Sequence, residues 1–283
     1  MSHRNFTLVN SNLPPTEQTG PLADLEQRSI SELTAAMHAQ NGAVQQAVEA
    51  TIPALNEFME TLVPRMQSGG RLFYIGAGTS GRLGVMDASE CPPTFGVSPD
   101  RIMGLIAGGD GALRLAVEGA EDDLQAAWND LASFQPTSKD TVIGIAASGR
   151  TPYVIGGLKA ARDRGLLTAC ITCNPSSAVE RAAEHALVAV TGAEFVTGST
   201  RLNAGTATKL VLNMISTVAM IQLGHVQGTR MVDMRPSNAK LIERGQRMIM
   251  DATGTSIDQA QKALESTGNV RAAIQKIQDD AHA

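Results

Sequence analysis

The amino-acid sequence predicts an α/β fold in which a parallel five-stranded sheet is sandwiched by helices. Short apolar runs alternate with segments of helical periodicity along the 283-residue chain, a pattern typical of βαβ units with right-handed crossovers. The first and third runs also end in small and hydroxyl-bearing residues directly before a predicted helix. The five apolar runs are 72–75, 102–107, 142–147, 168–172 and 186–190. The helical segments between them are about 113–131, 153–164 and 178–184, and the alternative for the first is a break at Gly119.

Helices are also expected before and after the alternating region. Residues 1–22 are polar and contain several prolines, which predicts a loose arm. Between 24 and 67, apolar residues recur at spacings of three and four, which predicts two helices, the second ending at Gly69-Gly70. A long apolar helix from 203 to 223 closes the region, and polar residues within it favour a buried helix over a membrane span.

The C-terminal part of the chain predicts a small helical bundle. Its helices are expected over 237–250, 256–266 and 269–279, with Gly254 and Gly268 between them, where glycine favours a helix end. We therefore expect three regions. These are an N-terminal arm and helix over 1–43, a domain containing the sheet over 44–236, and a C-terminal helical region over 237–283.

Composition argues against several classes of function. The net charge of −5 and the absence of a basic face make nucleic acid an unexpected partner. No uninterrupted apolar run reaches the roughly 18 residues of a membrane span, and the N-terminus lacks the layout of a signal peptide. Three cysteines do not make a disulfide framework, so a reducing cytoplasm is expected. The histidines and cysteines show no metal-ligand spacing, so no metal is expected.

Two loops of similar design carry the first functional signal. One follows the first strand and the other follows the third, and each is rich in glycine and hydroxyls, as loops that hold a phosphate are. The first also matches G-x-G-x-x-G, but it lacks the acidic residue expected about 20 residues later in a dinucleotide site. The alternative is that the glycines only make tight turns. The residues are Gly78, Thr79, Ser80 and Gly81 in the first loop, and Ser148, Gly149, Arg150 and Thr151 in the second.

Acidic residues near these loops are candidates for proton transfer. Glu90 precedes Pro92 and Pro93, and because prolines interrupt helices, we expect Glu90 in a rigid, partly apolar loop. The alternative is an exposed loop acid. Residues 117–123 hold four acids, which predicts a solvated helix start with one acid facing a pocket, and spacing alone does not single one out.

A third hydroxyl-rich loop follows the last strand. It contains Glu194 and then Thr197, Ser199 and Thr200. Glu194 is a candidate to orient a sugar hydroxyl or to act as a base. The alternative is that it caps the helix that starts near Asn203.

These loops together resemble the sugar isomerase (SIS) domain family, and longer stretches are similar to the N-acetylmuramic acid 6-phosphate etherases within it. The similar stretches are 83–94, 116–122, 144–155, 173–175, 197–201 and 205–214, and the resemblance covers about residues 44–275. It implies an SIS-type fold, a cytoplasmic homodimer, no cofactor and a C-terminal bundle like ubiquitin-associated (UBA) domains. It also implies that Glu90 and Glu121 are catalytic, that both hydroxyl loops, Glu194 and Ser199 surround a sugar phosphate, and that Lys240 contacts the anion.

The resemblance further implies a reaction used in recycling cell-wall amino sugars. The lactyl ether at C3 is cleaved by loss of the C2 proton and expulsion of lactate, and water then adds to the unsaturated aldehyde. Glu90 is expected to protonate the departing oxygen and Glu121 to take the C2 proton. Two alternatives remain at this point, an aldose–ketose sugar-phosphate isomerase and a regulator that senses a sugar phosphate without catalysis.

Overall fold

The computed structural model describes residues 13–282 and confirms the α/β fold. Its five strands are parallel and lie in the order β2-β1-β3-β4-β5. The chain runs from β1 to β2 on one side and then from β2 to β3 on the other side of β1. Strand order therefore switches between β1 and β3, and ligands of open α/β sheets bind at such a switch point. The strands are β1 (Leu72–Gly76), β2 (Ile102–Ile106), β3 (Thr141–Ile145), β4 (Leu167–Thr172) and β5 (His185–Val188).

Nine α-helices lie in the described part of the chain. They are α1 (Ile30–Gln67), α2 (Gly78–Phe95), α3 (Ala126–Ala132), α4 (Pro152–Arg162), α5 (Ala178–Ala182), α6 (Asn203–Gln222), α7 (Ala239–Thr253), α8 (Ile257–Thr267) and α9 (Val270–His282). Short 3-10 turns occur at Pro15–Glu17, Leu25–Gln27 and Asp110–Leu113.

Alternating side chains of the central strands build two separate cores. Tyr74 and Ile143 point to the face covered by α1, α2 and α6, whereas Phe73 and Val142 point to the face covered by α3, α4 and α5. Every residue of β1, β3 and β4 is buried because helices cover both faces. The sheet is therefore a rigid platform, and its strand ends hold the connecting loops in fixed positions.

The N-terminal helical region forms one helix where two were expected. Helix α1 begins at a capping box, in which the Ser29 hydroxyl accepts from the Glu32 amide and the Glu32 carboxylate accepts from the Ser29 amide. It continues through Gly42, Pro53 and Pro64 to Gln67, because its apolar stripe packs along the sheet and α6. Both sides of the expected boundary at 43/44 lie within α1, and the division into three regions stays a prediction.

The predicted helix over 113–131 is largely wrong. Only α3 forms an α-helix there. The residues between the 3-10 turn at Asp110–Leu113 and α3 have no regular secondary structure. Arg82 donates to the carbonyls of Ala112 and Leu113 and so fixes this turn against α2. Gly119 has φ of +72°, a left-handed conformation that interrupts a helix.

The expected loop around Glu90 is also wrong, because α2 runs through it. Pro92 and Pro93 lie in the last turn of α2, so their missing amides and their rings disturb only the end of the helix. Ala88, Cys91 and Phe95 bury that turn against the sheet and α1. The helix ends one residue later at Gly96, which has φ of +69° and sits against the Asp233 carbonyl, where a Cβ would lie 2.0 Å away.

The predicted helices of the C-terminal region and the long helix before it are confirmed. Asn238 and Ser256 cap α7 and α8, and Gly254 and Gly268 end them in the left-handed conformation. Helix α6 is long and apolar enough to match a membrane span by length and composition. However, 56% of the apolar 18-residue stretch within α6 is buried inside the protein, as in a core helix.

Candidate active site

A cleft of about 250 Å³ opens at the carboxyl ends of β1 and β2. Gly78 and Arg82 line one side of it, and the segment 116–121 lines the other, including the exposed acids Glu118 and Glu121. The cleft lies at the carboxyl ends of the strands, on the β2 side of β1. The switch in strand order lies on the other side of β1, between β1 and β3, and ligands of such folds bind at the carboxyl ends near that switch.

The first hydroxyl loop forms the start of α2. Gly78 has φ of +53°, and a Cβ on Gly81 would lie 2.6 Å from the Ile106 side chain, so both positions require glycine. Thr79 and Ser80 are half-buried in the first turn. No side chain caps α2, so the amides of its first turn have no side-chain partner.

At other described helix starts, the first backbone amides already have hydrogen-bond partners. Side chains cap α1, α5, α7, α8 and α9, and Asp123 accepts from the amides that begin α3. The first free amide of α4, that of Tyr153, donates to the Glu121 carbonyl at 2.9 Å. The uncapped end of α2 therefore offers unpaired donors and a positive dipole end beside the cleft.

The second hydroxyl loop lies next to the first because β3 pairs with β1. Gly149 has φ of +70°, and a Cβ there would lie 2.3 Å from the Ser177 side chain, so the loop can only be built with glycine. Ser148 accepts from the Arg150 amide, and Thr151 directly precedes α4. The Tyr153–Glu121 hydrogen bond then brings Glu121 beside this loop, so the structure unites both loops and Glu121.

Glu90 lies apart from this cleft in the single chain. It is exposed on α2, twelve residues after Gly78, which corresponds to about 18 Å along the helix axis. Its neighbour Asp87 is buried and accepts hydrogen bonds from Tyr74, Asn213 and Ser216 at 3.1, 2.8 and 3.2 Å. Burial raises the pKa of Asp87, although these donors oppose the shift.

Glu194 is a helix cap in this structure. It is buried, and its two carboxylate oxygens accept from the amides of Asn203 and Ala204, each at 2.9 Å. The alternative that the sequence left open, a cap at the start of α6, is therefore the role that the geometry displays. Its role toward a substrate stays a prediction.

Two further predicted site residues lie outside the cleft lining. Ser199 is half-buried in a turn where its amide donates to the Val196 carbonyl. Lys240 is exposed in the first turn of α7, which packs in the C-terminal bundle. Their contacts with a substrate stay predictions.

The cysteines and the possible metal ligands play no visible part in the cleft. Cys91, Cys170 and Cys173 are buried thiols, and burial raises the pKa of each to about 12, so they remain protonated at neutral pH. Within residues 13–282, no three side chains of the metal-binding types come together.

The N-terminal arm is the part of this edge that the sequence did not predict. Of the loose arm expected over 1–22, residues 1–12 lie outside the described residues. Residues 16–20 contact loops at the carboxyl ends of the strands, and Thr16 is fully buried against Asn174. The polar, proline-rich composition of residues 1–22 does not indicate that Thr16 is buried, because a single buried threonine produces no periodic pattern.

Comparison with known proteins supplies the family. N-Acetylmuramic acid 6-phosphate etherases from Christiangramia forsetii, Bacteroides thetaiotaomicron and Porphyromonas gingivalis are 53%, 50% and 51% identical to this chain. The matches cover 97%, 92% and 93% of this chain and 98%, 94% and 96% of the relatives. The chain belongs to the N-acetylmuramic acid 6-phosphate etherase family.

Domain matches and solved structures agree with this membership at the level of fold. Residues 54–162 match the glucokinase regulatory protein N-terminal SIS domain, and residues 128–221 match the SIS domain. A phosphoheptose isomerase from Neisseria gonorrhoeae superposes with a TM-score of 0.52 at 16% identity, covering 68% of this chain and 98% of its own. A putative sugar-phosphate isomerase from Listeria monocytogenes gives 0.51 at 14%, covering 70% and 94%.

Proposed function

We propose that this protein cleaves the lactyl ether of N-acetylmuramic acid 6-phosphate to N-acetylglucosamine 6-phosphate and lactate. The observation that carries the proposal is the cleft that Glu121 shares with the uncapped start of α2, together with the Tyr153–Glu121 hydrogen bond that holds Glu121 near the second hydroxyl loop. Membership of the etherase family supports this substrate over that of an isomerase or a sensor. We expect the enzyme to act in the cytoplasm, in the recycling of cell-wall sugars.

The phosphate is held in this proposal by neutral donors. The unpartnered amides at the start of α2 and the hydroxyls of Thr79 and Ser80 bind its oxygens, and the positive end of the helix dipole favours its charge. Ser148 and Thr151 supply hydroxyls from the neighbouring loop. Such a site orients the sugar by its phosphate and leaves C2 and C3 toward the acids.

Glu121 takes the C2 proton in this mechanism. The open-chain aldehyde at C1 acidifies that proton, and its removal gives an enolate whose electrons return to expel the C3 oxygen. Glu90 protonates that oxygen as lactate leaves. It later takes a proton from the water that adds at C3, and a proton returns to C2 through Glu121, so that the double bond is consumed and the sugar is regenerated. General acid and base steps of this kind each contribute about 10²–10⁴ in rate.

A second copy of the chain supplies Glu90. Glu90 does not line the cleft that contains Glu121, and it lies about 18 Å along the axis of α2 from Gly78, so we infer that one chain does not bring the two acids together. Helices α1 and α6 expose apolar side chains that suit a contact between copies, including Ile52, Val218 and Ile221. We therefore expect a homodimer in which each cleft receives Glu90 from its partner.

The decisive experiment incubates the protein with N-acetylmuramic acid 6-phosphate in deuterated water and measures lactate. Lactate release with deuterium at C2 of the product supports the proposal. Conversion between aldose and ketose without lactate would instead identify an isomerase, and binding without any turnover would identify a sensor.

Mixing two inactive variants tests the shared site. Glu90→Gln and Glu121→Gln chains are unfolded, mixed and refolded together. If Glu90 acts on the partner's cleft, mixed dimers contain one intact site, and random pairing restores about a quarter of wild-type activity. If both acids act within one chain, the mixture stays as inactive as either variant alone.

A further inference from the structure

The segment 13–20 crosses the carboxyl edge of the sheet and contacts three of its loops. Thr16 bonds to Asn174 after β4, Glu17 pairs with Arg150 after β3, and the Gly20 amide donates to Thr197 after β5 at 2.9 Å. We call residues 13–20 the strap. Its contacts lie on the loops that the proposed function uses, although none of its residues lines the cleft.

Thr16 reaches the second hydroxyl loop through a buried relay. Its amide donates to Asn174 Oδ1 at 3.1 Å, and Asn174 Nδ2 donates to the Thr16 hydroxyl at 2.8 Å. The same Nδ2 donates to the carbonyl of Ala147 at 3.1 Å, one residue before Ser148. Thr16 and Asn174 are almost fully buried, so removing the Thr16 hydroxyl leaves a buried amide group short of a partner.

Glu17 fixes the side chain of Arg150 at the rim of the same loop. Its Oε1 lies 3.2 Å from a guanidinium nitrogen of Arg150. The other oxygen faces Gly198, where a Cβ would lie only 3.3 Å away. Exposed ion pairs add little to stability, so the main consequence of this pair is the direction in which Arg150 points.

Gly20 fixes the far end of the strap. A Cβ there would lie 2.9 Å from the carbonyl oxygens of both Glu194 and Phe195, so the backbone passes directly over the residue that caps α6. The strap is therefore held at Thr16 by the relay and at Gly20 by Thr197, and the Glu17–Arg150 ion pair lies between these two points.

We propose that Thr16 and Glu17 are positioning residues for the phosphate-binding loop 148–151, Thr16 acting through Asn174 and Glu17 through Arg150. The proposal rests on the proposed function in assigning that loop to phosphate. A loop held in its binding conformation before the ligand arrives avoids the cost of ordering on binding. Because neither residue reaches Glu121, the strap affects binding of the phosphate ester more than the chemical step.

The test compares Thr16→Val, Thr16→Ser, Glu17→Gln and the control Glu26→Gln. Glu26 is an exposed acid in the same N-terminal region. The readouts are the Kd of N-acetylglucosamine 6-phosphate by calorimetry, the kcat and KM for lactate release, and the thermal unfolding midpoint. Thr16→Val should weaken binding and raise KM about tenfold with kcat within about twofold, and Thr16→Ser should restore both. Glu17→Gln should raise KM about threefold, and Glu26→Gln should match wild type.

Several outcomes would overturn the proposal. Unchanged Kd and KM in Thr16→Val and Glu17→Gln would show that the strap does not position the loop. A lowered unfolding midpoint with unaltered binding by the folded fraction, or an equal fall in kcat, would assign the strap a purely structural role. If wild type releases no lactate, the proposed function fails, and the Kd of the phosphate ester still tests the strap by itself.

Discussion

Charged side chains at the amino ends of the strands and those at the carboxyl ends have opposite environments. At the amino ends of the strands, the Asp140 carboxylate is buried and accepts from the Arg71 amide at 2.7 Å, from the Arg71 guanidinium at 2.8 Å and from the Thr137 amide at 2.8 Å. Arg101 donates to the Gly70 carbonyl beside it. At the carboxyl ends, Glu118 and Glu121 line an open cleft, and the first turn of α2 has no side-chain cap.

This difference separates structural charge from functional charge. A carboxylate whose acceptor sites are all occupied holds the fold together and has nothing left to offer a substrate. An acid in a cleft beside unpartnered amides keeps its capacity for a ligand. At the carboxyl edge, Glu194 is intermediate, since each of its oxygens accepts one amide of α6, whereas Glu121 lines the open cleft.

The largest expected effect is the loss of the open acid. Glu121→Gln keeps the size of the side chain and removes the base, so lactate release should fall about 10²–10⁴-fold while the unfolding midpoint stays within a degree or two. Glu118→Gln is the matched control from the same cleft wall and should cost less than about tenfold. Equal losses in the two variants would mean that the cleft needs negative charge in general and no particular base.

Loss of the saturated acid should show the reverse pattern. Asp140→Asn leaves the Arg71 guanidinium without its charged partner and should lower the free energy of unfolding by about 3 kcal/mol at pH 7, with normal lactate release per folded molecule. Urea unfolding measures the first quantity, and turnover at a temperature well below the midpoint measures the second.

The pH dependence gives this prediction a sign. Burial alone would raise the pKa of Asp140, but the hydrogen bonds from Arg71 and Thr137 outweigh it and hold the pKa below its usual value. The stabilisation is therefore present above about pH 4 and is lost as the pH falls through the lower folded pKa. The gap between wild type and Asp140→Asn should narrow at pH 3, and a constant gap would contradict the role given to this carboxylate.

A third and smaller effect concerns the turn of the second loop. Gly149→Ala forces a side chain into a left-handed backbone conformation and against Ser177, which should cost about 2 kcal/mol of stability and weaken binding of the phosphate ester. Gly254→Ala is a suitable control, since Gly254 is in the left-handed conformation but has open space where a Cβ would lie. Similar losses of ligand affinity in both variants would remove Gly149 from the site.

The sequence was sufficient for the sheet and insufficient for the geometry of the acids. Apolar runs flanked by glycine and hydroxyl residues located all five strands and both loops, because strand burial and tight turns leave local patterns. The path of 113–125 and the helix through Pro92 and Pro93 did not follow local rules. Both are decided by tertiary contacts, the Arg82 side chain in the first case and burial on the sheet in the second.

The family resemblance identified Glu90 and Glu121 among several acids, but it gave no information about where the two side chains lie in space. Only the structure shows that Glu121 lies at the cleft and Glu90 about 18 Å along α2, and this separation is what led to the proposal of a shared site. Likewise, a polar arm gave no sign that Thr16 would be fully buried, because its partner Asn174 is 158 residues away in the sequence.

The smallest expected effect concerns Asp87, a buried acid between the two edges, and it should run opposite to that of Asp140. Its pKa is raised, first by burial, so any stabilisation tied to the protonated form is present below about pH 4 and is lost as the pH rises through the folded pKa. Asp87→Asn keeps an acceptor for Asn213 and Ser216 and no longer titrates. The variant should be about 1 kcal/mol less stable than wild type at pH 4 and approach it at pH 7.

Urea unfolding at the two pH values, with the exposed Asp100→Asn as control, measures this difference. A gap that widens from pH 4 to pH 7 would mean that the hydrogen bonds of Asp87 outweigh its burial, as they do at Asp140. Asp87 would then belong with the saturated charges of the amino edge. A stability difference that narrows from pH 4 to pH 7 would support the raised pKa of Asp87. Asp87 would then differ from Asp140 because it is buried without an ion-pair partner.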